Sequence, residues 1–74
     1  MGWDQEYERF LSEQDGVCAI CLKPCQTGQR LSVDHDHVTG AVRGLLCRRC
    51  NSGLGHFQDS LDLLKKALMY LERF

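Results

Sequence analysis

Cys18-x-x-Cys21 and Cys47-x-x-Cys50 are two thiol pairs with 25 residues between them. Two thiolates this close on a tight turn can share one ion, and two such turns complete a tetrahedron with metal–sulfur distances of about 2.3 Å. The spacing predicts a structural zinc site, since four sulfurs fill the coordination sphere and leave no position for a substrate. Iron or a redox pair would be the competing uses. The gap slightly exceeds the common zinc-finger spacing, which lets a hairpin be held between the two turns. Cys25 is the fifth cysteine. It can replace Cys21 as a ligand, but the two C-x-x-C pairs match each other, so a free thiol is the expectation.

Between the pairs lies Asp34-His35-Asp36-His37. On an extended chain the carboxylates point one way and the imidazoles the other, and a bend there would bring one of each to a common point. Carboxylate oxygen suits Mg²⁺ or Mn²⁺. An imidazole can take a proton from water near neutral pH. Asn51 directly follows Cys50, so its amide oxygen would be held rigidly by the metal-bound turn. The plain alternatives are a polar surface loop, or a second zinc on His35 and His37. His56 stands apart and reads as a surface or packing residue.

The elements that must position these groups are short. Trp3, Tyr7, Phe10 and Leu11 share one face of a helix that Asp15-Gly16 should end. Pro24 bars a helix in the first knuckle, and Gln26-Thr27-Gly28 reads as a turn. Leu31-Ser32-Val33 alternates as a strand, and a second strand is expected at about Ala41–Leu46 after the loop Val38-Thr39-Gly40. A short helix follows from Arg48 to about Gly55, weakened by Gly53 and Gly55. Asp59 or Ser60 can cap a last helix. Its apolar residues, from Leu61 to Phe74, are more than one stripe needs, so most should be core and the surplus could meet a second copy of the chain.

At 74 residues and 8.5 kDa the chain makes one domain, 1–74, whose core alone would supply only about 3–5 kcal/mol. Hydrophobic residues at 43% and charged residues at 26% describe a globular chain. No apolar run is long enough to span a membrane. Met1-Gly2-Trp3-Asp4 does not open a secretory signal, and an odd cysteine count argues against a disulfide framework. A reducing cytoplasm is the expected location. The net charge of −1 hides a gradient. Residues 1–17 set Asp4, Glu6, Glu8, Glu13 and Asp15 against Arg9, whereas residues 18–54 set Lys23, Arg30, Arg43, Arg48 and Arg49 against Asp34 and Asp36. The middle is therefore the basic part, although the net charge by itself argues against strong attraction to nucleic acid and ordinary solvated charges are the plain alternative.

The stretch from Leu31 to Asn51, with D-H-D-H, R-G-L-L-C and C-N in order, resembles the recombination endonuclease VII family of phage and bacterial nucleases. The Cys18/Cys21 pair and the run from Gly53 to Asp59 also fit it. That family belongs to the HNH, or His-Me finger, superfamily. The resemblance implies an α+β fold of the ββα-metal kind, stapled by zinc and flanked by N- and C-terminal helices. It implies that Asp34 and Asn51 hold a catalytic Mg²⁺ or Mn²⁺, that His35 is the general base, and that His37 assists or contacts phosphate. Arg43 would hold a phosphate, and Arg48, Arg49 and Arg30 are further candidates for DNA phosphate. The implied activity is hydrolysis of DNA phosphodiester bonds, as a nick or a double-strand cut, with branched recombination intermediates as one substrate. Junction-resolving members carry a longer helical C-terminal part that builds a dimer, whereas this sequence shows one such helix up to Phe74. Two other readings compete. One is a non-catalytic zinc-dependent module that binds nucleic acid through its arginines. The other is a zinc adaptor that meets a protein through the acidic, aromatic N-terminal helix.

Overall fold

The computed structural model describes residues 2–24 and 30–74. Cys25 and the turn expected at 26–28 lie outside them, as does the side chain of Trp3. The order is α1 (Gly2–Glu13), β1 (Ser32–His35), β2 (Val42–Leu46), α2 (Arg48–His56) and α3 (Leu61–Glu72). The two strands form an antiparallel sheet, so the chain has the expected α+β character. α1 packs on β2, and α2 packs on both strands.

The buried core is Tyr7, Cys18, Leu31, Leu45 and Leu46, with Phe10, Leu11, Val33 and Leu54 around it. Tyr7 buries its ring and still satisfies its hydroxyl, which donates to the Leu31 carbonyl at 2.8 Å. α1 ends as its sequence suggests. Asp15 and Gly16 adopt left-handed φ values of 56° and 75°, and the Gly16 N–H donates to the Leu11 carbonyl at 2.8 Å.

Gln14, at the end of this helix, does something its sequence context does not announce. Its side-chain oxygen accepts from the Leu45 N–H at 2.9 Å, while its Nε2 donates to the Leu45 carbonyl at 2.9 Å and the Val17 carbonyl at 2.8 Å. The Ala19 N–H donates to the same Leu45 carbonyl. The outer edge of β2 is thereby covered by an amide that imitates a neighbouring strand. A Cβ on Gly44 would come within 3.1 Å of the Gln14 oxygen, which explains a glycine there. Gln14→Ala should cost about 1–3 kcal/mol in denaturant unfolding, because the Leu45 N–H is left buried without a partner.

α2 starts at Cys47, whose extended backbone and sulfur accepting from the Cys50 N–H make it the N-cap. Anchoring at this end offsets the roughly 1 kcal/mol that each of Gly53 and Gly55 costs relative to alanine. α3 is capped by Ser60, whose Oγ accepts from the Leu63 N–H at 3.1 Å. The expectation that most of its apolar residues form core is overturned. None of its residues is buried, and Leu61, Leu68, Met69, Leu71 and Phe74 are exposed. The core among the described residues draws on α1, the sheet region and α2, and no residue of α3 belongs to it or packs against it.

Candidate functional site

Two turns bring the four cysteines together. In the first, the Leu22 N–H donates to the Cys18 carbonyl and the Ile20 N–H to the Cys18 sulfur, with Leu22 in a left-handed conformation. In the second, the Cys50 N–H donates to the Cys47 sulfur at 3.4 Å. The four sulfurs all lie within 4.8 Å of one another, and Cys21 and Cys47 are 3.8 Å apart. A tetrahedron with metal–sulfur distances of about 2.3 Å has edges of about 3.8 Å, so the group can hold a structural metal such as zinc.

The thiols themselves ask for such an ion. Burial works against a Cys18 thiolate, but backbone hydrogen bonds from Cys47, Cys21 and Ile20 outweigh it and pull the pKa to about 6. Hydrogen bonding from the Cys50 backbone lowers that of Cys47. Burial, with the neighbouring sulfurs of Cys47, Cys18 and Cys21, pushes Cys50 up to about 12. Four crowded sulfurs cannot all ionise unaided, whereas a dication supplies the missing charge.

On the hairpin, the strand register brings a second group together. Ser32, Val33 and Asp34 pair with Leu46, Leu45 and Gly44, but His35 pairs with Val42. Arg43 is therefore an extra residue on β2 with no opposite number. Such a bulge turns its side chain onto the face it would otherwise avoid, and here that is the face of Asp34. The Arg43 Nε and Nη2 donate to the two oxygens of Asp34 at 2.7 and 2.9 Å. Nη2 also donates to Asp59 Oδ2 at 3.1 Å, and His37 Nε2 lies 3.1 Å from the same oxygen. Hydrogen bonds from Arg43 to Asp34, and then to Asp59, hold its charge more firmly still. Both carboxylates are largely covered, whereas the His37 side chain is 79% exposed.

Asp36 is not part of this group. Its Oδ1 accepts from the Val38 and Thr39 N–H groups at 2.8 and 2.9 Å and shapes the loop between the strands. Those amides, Thr39 first, hold its carboxyl below the ordinary carboxylate value. The stability this gives the loop is present at neutral pH and is lost only as pH falls through the lowered value.

The other residues singled out in the sequence are placed as follows. His35 is the exposed last residue of β1. Asn51 sits half-buried in the first turn of α2, its N–H donating to the Cys47 carbonyl at 2.9 Å. Arg48 and Arg49 are exposed at the start of α2, and the Arg30 guanidinium lies 4.2 Å above the Tyr7 ring. His56 is exposed at the end of α2. Asp59 is the group that sequence reasoning missed, because it reads there as a cap. The signal was a surplus: Asp59 and Ser60 are two capping residues before one helix, and Ser60 does the capping.

A small helix-flanked hairpin with four clustered cysteines, and with Asp34, Arg43, His37 and Asp59 gathered on the hairpin and the turn before α3, defines a small α+β domain that can hold a metal ion and carries a charged side-chain cluster. The family model of recombination endonuclease VII matches residues 1–73, and the chain belongs to that family. It is 46% identical over 70 residues to the Gene 59 protein of Mycobacterium phage D29, covering 93% of this chain and 42% of that protein. To the Gene 59 protein of Mycobacterium phage L5 it is 48% identical over 67 residues, covering 89% and 41%. The chain thus spans about two fifths of the length of these relatives. No helix among the described residues is long and apolar enough to cross a membrane.

Proposed function

We propose that this chain is a metal-dependent DNA endonuclease of the HNH, or His-Me finger, kind that hydrolyses phosphodiester bonds. The observation that carries the reading is the meeting of Asp34, Arg43, Asp59 and His37, in a chain of the recombination endonuclease VII family. The order β1, β2, α2, with cysteines at the start of the helix, supports the ββα-metal assignment.

Asp34 and Asn51 would hold the catalytic ion. Carboxylate and amide oxygens are hard donors that suit Mg²⁺ or Mn²⁺, and Arg43 uses only two of the roughly four lone-pair sites of an ionised Asp34. When bound, such a cation stabilises the negative charge that builds on the phosphate in the transition state. His35 stands exposed at the end of β1, where it can accept the proton of the attacking water as that oxygen bonds to phosphorus. The 3′ oxygen leaves with the bonding pair, and a 5′ phosphate remains. His37 and Arg43 would contact non-bridging oxygens of the same phosphate. Arg48 and Arg49, both exposed, and Arg30 would meet neighbouring phosphates and set register along the duplex. The four-cysteine centre holds the start of α2, and therefore Asn51, in place.

The apolar, unburied α3 supports contact with a second copy, which would convert a nick into a double-strand cut. Relatives encoded by phages suit action in the cytoplasm of an infected bacterium.

The test is conversion of supercoiled plasmid by zinc-loaded protein. Open-circle product that requires added Mg²⁺ or Mn²⁺ is expected, and linear product would indicate a dimer. Salt-dependent DNA binding by folded protein without any cleavage would overturn the enzyme and leave a zinc-dependent nucleic-acid-binding module.

A further inference from the structure

We propose that Asp59 is a positioning residue for cleavage, holding Arg43 and His37 at the reacting phosphate; the role rests on the endonuclease reading above. One carboxylate oxygen, Oδ2, lies 3.1 Å from both Arg43 Nη2 and His37 Nε2. Arg43 comes from β2, His37 from the loop between the strands, and Asp59 from the turn after α2, so a single atom ties three separate segments.

The turn that carries Asp59 closes the end of α2 and is held by backbone bonds. Gln58 and Asp59 both adopt left-handed conformations, with φ of 58° and 54°. Two consecutive non-glycine residues in that region persist only where surrounding bonds impose them. Here the Asp59 N–H donates to the Leu54 carbonyl and the Ser60 N–H to the Phe57 carbonyl, at 2.9 and 3.0 Å. The carboxylate is not needed by α3, because Ser60 caps that helix.

Charge explains what Asp59 adds to Asp34. Arg43 is paired with both carboxylates. A dication arriving at Asp34 would repel the guanidinium beside it. Asp59 supplies a second, separate negative charge that keeps Arg43 at the site at that moment. It also orients the His37 ring, whose side chain is otherwise exposed.

The test uses zinc-loaded full chain. Asp59→Asn keeps the shape and removes the charge, and should lower kcat about a hundredfold with KM little changed. In an Arg43→Ala/His37→Ala background the same substitution should cost little more, because the groups it acts through are gone. Ser60→Ala, which removes the neighbouring cap, should lower the melting temperature and leave kcat unchanged. Independently of activity, NMR spectra without Mg²⁺ should show the Arg43 Nε–H and His37 ring signals shifting in Asp59→Asn, while the α3 amide signals hold. Undiminished kcat in Asp59→Asn, equal losses in both backgrounds, or unmoved Arg43 and His37 signals would overturn the role. If the wild type cleaves nothing, the endonuclease reading fails by itself, and the NMR comparison still decides whether Asp59 positions these two side chains.

Discussion

Stripping the metal from the four-cysteine centre is expected to unfold the chain. The buried hydrophobic core among the described residues is only Tyr7, Cys18, Leu31, Leu45 and Leu46, and one of these is itself a thiol ligand. A core of this size supplies about 3–5 kcal/mol. Binding of a structural zinc by a small cysteine-rich domain is worth on the order of 10 kcal/mol, and that binding energy is folding energy. Metal binding would therefore outweigh the core and decide whether the chain folds. An ion held by Cys18 and Cys21 together with Cys47 and Cys50 would join the loop after α1 to the start of α2, so its loss would release both segments at once. Circular dichroism during titration with a strong chelator should show cooperative loss of helix, restored by added Zn²⁺. Loading should also release protons, because Cys50 holds its own up to about 12 in the absence of an ion. Metal affinity should therefore fall as pH is lowered. A chelated, metal-free chain with an unchanged melting curve would show that the core suffices alone.

If the chain is the endonuclease proposed above, replacing His35 with alanine should lower cleavage about 10²–10⁴-fold, the usual worth of a general base. The imidazole lies on the exposed end of β1 and is not part of the core, so the variant should fold and keep its zinc. Initial rates of supercoiled-plasmid nicking in Mg²⁺, with zinc content measured on the same samples, check both halves. A mutant as fast as wild type would mean that another group takes the proton. The two experiments would also separate the structural metal from the proposed catalytic one. Mild chelation of Mg²⁺ should stop cleavage with the fold intact, whereas removal of zinc should stop it by dissolving the site.

Short-range features were legible from residue order. The two C-x-x-C pairs announced a sulfur cage, and the structure brings those four sulfurs within reach of one ion. Tyr7, Phe10 and Leu11 declared a buried helix face, Gly16 its end, and the two strands fell within a residue or two of their expected positions. Each of these depends on neighbours a few positions apart, where helix and strand periodicity act directly. α3 departs from its expected burial because periodicity shows that a face is apolar, not that anything remains to cover it.

The charged site divides along the same line. Residue types and spacing by themselves determined that two thiol pairs able to hold an ion flank a hairpin bearing acids and histidines, and that arginines follow close behind. Only the tertiary structure decided that Arg43 faces Asp34, since that required a bulge in a strand whose alternation gives no hint of one. It alone decided that Asp59 leaves helix capping to Ser60 and reaches Arg43 and His37 instead. The physical reason is range. Periodicity and caps act over three or four residues, whereas a contact between Arg43 and Asp59 depends on strand register, the length of α2 and a left-handed turn acting together.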